Sequence, residues 1–140
     1  MYVARQSADV TFNADTTLDD LTDLNFPIGA SQVWFCIGAS GCISNTTPDV
    51  KYTLTAPSGA TGRFGVLGPG VGITALSSET FGDPVAIAIP DNIDQTVFLW
   101  AMVVNSTNAG TCQWQAAQNT SNASNTIFYQ DSGLVAVRLF

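Results

Sequence analysis

At 140 residues the chain suits a single domain, long enough to bury roughly two-thirds of its unfolded surface. Hydrophobic residues make up 46% and charged ones only 11%, so a substantial core must sit beneath a skin of Ser, Thr, Asn, Gln and Gly. Four Lys and Arg against eleven Asp and Glu give a net charge of −7, and there is no histidine; this opposes binding to nucleic acid or anionic lipid and removes the usual general base and commonest metal ligand.

Residues 1–7 (MYVARQS) lack the apolar stretch of a signal peptide and read as an N-terminal arm ahead of one domain, residues 8–140. Val10 and Phe12 mark a first strand. Leu18, Leu21 and Leu24 recur at a spacing that suits a helical turn, but Thr16-Thr17 and Asn25-Phe26-Pro27 suit extended chain, and extended is the reading taken. Residues 32–37 (QVWFCI) and 95–104 (QTVFLWAMVV) are continuous apolar runs rich in aromatic and β-branched side chains, which predicts central strands covered on both faces. The eight apolar residues at 97–104 are the longest such run, far short of the about 20 a membrane helix needs.

Gly38-Ala39-Ser40-Gly41 reads as a turn. Val50, Tyr52 and Leu54 alternate with Lys51, Thr53 and Thr55, the period of a half-buried strand, and Pro57-Ser58-Gly59 stops it. Gly68-Pro69-Gly70-Val71-Gly72 reads as a loop, and residues 85–89 as a short strand ended by Pro90. Cys112, Trp114 and Ala116 repeat the period-two pattern; residues 119–125 form a polar loop and residues 134–140 a last strand. Eight to ten short strands at roughly ten-residue spacing predict an all-β, antiparallel, jelly-roll-like sandwich.

Motifs that would carry chemistry fail in detail. Gly38-Ala39-Ser40-Gly41-Cys42 departs from a nucleophile elbow at its last position and has no histidine to activate Ser40. The glycine-rich run at residues 68–72 has Ile73 where a phosphate loop wants glycine, and Lys51 is the only lysine. Asp15, Asp19, Asp20 and Asp23 lack the spacing of a calcium loop and read as an acidic strand edge that discourages edge-to-edge pairing. Glu79, Asp83, Asp91 and Asp94 suggest no acid pair of the glycosidase kind. Trp34, Trp100 and Trp114 each lie within an apolar strand pattern and read as core. Cys36, Cys42 and Cys112 read as small buried residues, with a Cys36–Cys42 bridge across a tight connection as the alternative. The expectation is a protein that is not an enzyme, with no catalytic residue, cofactor or metal. Arg138 shares a face with Leu134, Ala136 and Phe140; either it lies at a strand end in water or it pairs with a neighbouring chain.

Several stretches together resemble a family of small bacteriophage virion proteins. They are residues 6–11 (QSADVT), 23–28 (DLNFPI) followed by Val33-Trp34-Phe35, 49–62 (DVKYTLTAPSGATG), 113–121 (QWQAAQNTS) and the closing Val137-Arg138-Leu139. Proteins of this layout occur as capsid decoration (cement) proteins and as distal domains of tail or head fibres. The resemblance implies a jelly-roll protomer that forms homotrimers, sits on the outer surface of the assembled capsid in the virion and clamps the major capsid protein, with no nucleic-acid or membrane partner. On that reading the arm lies on the capsid through Tyr2, Val3 and Arg5, while Arg138 and Phe140 meet the neighbouring subunit. The alternative it implies is a receptor-binding fibre tip, whose exposed Asn, Ser, Thr and aromatic residues read host glycans.

Overall fold

The computed structural model describes residues 1–69 and 74–140. The described residues form twelve strands and no helix. They are β1 (Tyr2–Arg5), β2 (Val10–Phe12), β3 (Asp19–Ile28), β4 (Val33–Ile43), β5 (Val50–Thr55) and β6 (Thr61–Gly68). The second half supplies β7 (Thr74–Ser78), β8 (Val85–Ile87), β9 (Gln95–Val104), β10 (Gly110–Gln118), β11 (Thr126–Phe128) and β12 (Gly133–Arg138). Of the glycine-rich run, residues 70–72 lie outside the described residues.

One rule generates the topology. The first strand pairs antiparallel with the last, the second with the next to last, and so inward to β6 with β7. The chain is thus one long antiparallel ribbon, doubled back on itself and rolled. Rolling places β3-β10-β5-β8 in one sheet and β1-β12-β4-β9-β6-β7 in the other, with β11 and β2 continuing outward from β4. Strands β3 to β10 alone have the order of a jelly roll, 3-10-5-8 facing 4-9-6-7. The sequence reading of an antiparallel, jelly-roll-like sandwich therefore holds, with more strands than the eight to ten expected. The additions include β1, β11 and the β6–β7 hairpin, whose sequences TGRFGVLG and TALSS are too rich in glycine and small polar residues to read as strands.

The core lies between the sheets. Tyr52, Leu54, Cys112, Trp114 and Ala116 face inward from the small sheet and meet Cys36, Phe64, Val66, Leu99 and Ala101 from the large one, all essentially buried. Aromatic pairs cross the gap: Phe26 stacks on Trp34 at 5.7 Å between centroids, and Phe64 meets Trp114 edge-on at 5.8 Å. The ambiguous leucines are strand residues. In β3, Leu21 and Leu24 both point inward, although three positions apart, because a bulge intervenes: Asp23 takes φ 68° and the register against β10 shifts between Gln113 and Gln115. Gln113 fills the bulge, its Nε2 donating to the carbonyl of Leu21 at 3.0 Å. Asp19, Asp20 and Asp23 are exposed on this strand, which is the edge of the small sheet.

Two local expectations are corrected. Gly38-Ala39-Ser40-Gly41 is no turn: β4 runs straight through it, held by β9 on one side and by β12 on the other. The pairing on both edges outweighs the local preference of Gly and Ser for bends. Residues 1–7 are also not a free arm. Tyr2–Arg5 is the edge strand beside β12, and Gln6 is buried, donating from Nε2 to the carbonyl of Phe128 at 2.9 Å and from its backbone to Ser132 at 2.9 Å.

Candidate assembly surface

Period-two alternation divides each strand of the large sheet into an inner and an outer set. In β9, Val97, Leu99, Ala101 and Val103 are buried, which leaves Phe98, Trp100, Met102 and Val104 facing away from the core. In β4 the same rule turns Phe35 and Ile37 outward, and in β12 it turns Val135 and Val137 outward. Strand register then aligns them. One row crosses the sheet as Val3, Val135, Ile37, Trp100 and Gly65; the next runs Val137, Phe35, Met102 and Arg63. A third, Gly133, Ala39, Phe98 and Leu67, lies on the other side of the first.

The result is an apolar outer face where a sandwich usually presents polar side chains. Val3 is 64% exposed, Ile37 51% and Phe98 59%. These three surround a shallow trough of about 410 Å³ floored by Gly38, Ala39 and Gly133. Trp100 lies over Gly65, where an added Cβ would stand 2.6 Å from the indole; the absent side chain lets the ring lie down on the sheet and extends the smooth apolar surface. The sequence expectation that residues 32–37 and 95–104 are covered on both faces is therefore half met. The opposite sheet covers one face, and nothing among the described residues covers the other. Trp100, expected in the core with Trp34 and Trp114, belongs to this outer face and is only partly buried.

Leu139 and Phe140 continue past Val137 toward Val104, since both pair their backbone with Val33, the neighbour of Val104. Val3, Ile37, Phe98, Val104, Val137, Leu139 and Phe140 are all exposed large apolar residues. The charges nearest the face sit at its margins: Arg5 beside Gly133, and Arg63 beside Met102, where Arg63 pairs with Glu79.

The residues singled out from sequence fall in different places. Val3 lies in the patch and Arg5 at its rim, both exposed, whereas Tyr2 on the alternate side packs against the core. Phe140 is 78% exposed at the end of the patch. Arg138 is exposed at the end of β12, and its Nε donates to the carbonyl of Phe140 at 3.0 Å. Ser40 is fully buried, accepting from the Tyr52 hydroxyl at 3.2 Å. Of the main surface residues, Ile37 and Phe98 lie in runs read from sequence as strands covered on both faces, and Val135 in the last strand, for which no burial is read. The unbroken apolar run was the signal that could have found them, because it marks a strand needing two covers.

No protein family and no curated protein matches the sequence. Among solved structures, the infectious bursal disease virus VP2 subviral particle aligns over 99% of this chain and 41% of that one, with 10% identity and a TM-score of 0.24. The Gx strain of that virus gives 14% identity, the same coverages and a TM-score of 0.19. The Gt strain gives 10% identity, 98% and 40% coverage and a TM-score of 0.20. The chain thus spans about two-fifths of the length of each of these chains. At such scores the likeness adds nothing to the description of the fold.

Proposed function

We propose that this chain is a structural protein of the bacteriophage virion, a capsid decoration (cement) protein that assembles as a homotrimer and fastens adjacent subunits of the major capsid protein. The observation that carries this reading is the apolar outer face of the large sheet, where Val3, Ile37 and Phe98 stand more than half exposed side by side. Covering it with further copies removes the exposed Phe98, Ile37 and Val3 from water, at roughly 25 cal/mol for each Å² buried. Joining three protomers turns three weak capsid contacts into one strong attachment by avidity. A ligand that binds only the assembled lattice stabilises that lattice by mass action. The low-charge exterior, rich in Ser, Thr and Asn, and the jelly-roll fold accord with such a passive fastener, as does the resemblance carried by residues 49–62 and 113–121. In this arrangement Val3 and Phe140 serve contact between copies, and Arg5 and Arg138 border it.

The test joins mass to virion location. Light scattering is expected to give three times the 14.7 kDa of one chain. Added to undecorated capsids, the protein is expected to bind in hundreds of copies and raise their disruption temperature. A monomeric mass, or capsids that neither bind it nor gain stability, would refute the proposal. A few dozen copies or fewer per virion would point to the second reading, a fibre tip, which a cleft of about 520 Å³ lined by Asn45, Asp91, Asn125 and Tyr129 favours.

A further inference from the structure

At the end of the large sheet remote from Val104, the outer face changes character. Ile43 and Ile127 stand directly opposite each other across β4 and β11, half-buried. They floor a cleft of about 520 Å³, within the range of small-molecule sites, with Tyr129 along one side. The rim is polar. The Asn45 amide donates to Ser124 Oγ at 2.9 Å, which leaves its carbonyl oxygen as an acceptor. Asp91 accepts the Thr46 backbone N–H at 3.4 Å through Oδ1, which leaves Oδ2. Asn125 accepts from Asn13 at 2.8 Å through its carbonyl oxygen, so its amide N–H groups remain for a ligand.

A second hollow of about 200 Å³, lined in part by Asp94 and Asp131, shares Tyr129 with the first. The ring between them is fixed at both ends. Its hydroxyl donates to Asp94 Oδ1 at 2.6 Å, and its backbone N–H donates to the carbonyl of Gly41 at 2.9 Å. A Cβ at Gly41 would stand 3.2 Å from Asp131 Oδ1 and 3.3 Å from the Tyr129 ring, so the bare glycine lets both close in. Loss of surrounding water, then the hydrogen bond to Asp94, push the Tyr129 phenol up to about 12, so the hydroxyl stays a donor at neutral pH.

We propose that these two hollows form a binding site for an uncharged oligosaccharide, with Ile43, Ile127 and Tyr129 against the C–H face of a sugar ring and Asn45, Asp91 and Asn125 on its hydroxyls. A sugar presents an apolar face with an edge of groups that both donate and accept, and the cleft supplies an apolar floor under a rim of acceptors and donors. Two hollows on either side of one ring suit more than one sugar unit. Asp91, Asp94 and Asp131 line the site without a Lys or Arg among the lining residues, so a sialic acid or uronate meets like charge. The inference rests on the cleft alone and is independent of the assembly reading.

The probe is a printed array of neutral hexose and N-acetylhexosamine oligosaccharides beside sialylated and uronate-containing ones. Binding confined to neutral members is expected. The best neutral binder, added to methyl-labelled wild-type protein, is expected to shift the Ile43 and Ile127 methyl resonances, a readout that needs no variant. Asp91→Ala and Asn125→Ala are each expected to weaken binding about tenfold, the loss of one hydrogen bond involving a polar or charged group. Thr107→Ala, in the exposed loop after β9 at the far end of the sheet, is expected to leave it unchanged. No binding to any neutral glycan, equal binding to acidic ones, or shifts confined to other methyls would each overturn the site. A trimer that binds no glycan overturns this inference and leaves the assembly reading intact.

Discussion

Burial governs the chemistry of the three thiols. Desolvation pushes Cys36 up to about 12 from an ordinary 9.0, offset only in part by Trp114. It likewise raises Cys42 to about 11 and Cys112 to about 12. The nucleophilic form is therefore scarce in the folded protein at pH 8. Ellman's reagent at that pH is expected to label the native chain slowly and three thiols at once in denaturant; prompt native labelling would contradict the burial. The pH dependence follows from the sign of the shifts. A thiol raised in the folded state contributes stability that is complete below its unfolded value and is lost as pH climbs toward 11–12. The alternative of a Cys36–Cys42 bridge fails on geometry. Both lie on β4, and six residues of strand span about 20 Å, whereas bridged Cα atoms sit within about 7 Å. The expected tight connection does not exist, because Gly38 to Gly41 is held in the sheet by long-range pairing that no local motif reveals.

Strands explain what could be read in advance and what could not. β5, β9, β10 and β12 were legible because their alternation or unbroken apolarity is a local property. The step from Leu21 to Leu24 looked helical because a bulge at Asp23 adds a residue, and a bulge is fixed by the partner strand. β1 passed for an arm because its mate, β12, lies at the far end of the chain. The candidate surface was half legible: the runs at residues 32–37 and 95–104 announced two covered faces, but one chain supplies a single cover. Adjacent positions on β4 and β9 separate the two faces experimentally. Ile37→Asp or Phe98→Asp is expected to reduce the proposed trimer to the 14.7 kDa monomer with an unchanged β-type circular dichroism spectrum. Val97→Asp, which places a charge on the core side of the same strand, is expected to cost several kcal/mol and unfold the chain. If the outward substitutions unfold the protein as thoroughly as the inward one, the outer face is core.

At the scale of the molecule, the pairing of first with last strands makes almost every sheet contact distant in sequence. Such topologies fold in roughly milliseconds to seconds, because loop closure precedes the contacts that reward it. Stopped-flow refolding from denaturant is expected to fall in that window; microsecond relaxation would mean that the pairing of Tyr2 with Ala136 is not part of the cooperative structure.

The doubled ribbon also orders events on the ribosome. Its bend at β6 and β7 closes before any other pair, whereas each earlier strand waits for a mate made in reverse order. Tyr2 is left without Ala136 for on the order of ten seconds at roughly 5–20 residues made per second. Until β9 and β10 are made, the nascent β3 and β4 carry apolar side chains without their mates, the kind of transiently exposed surface that aggregates and that chaperones shield.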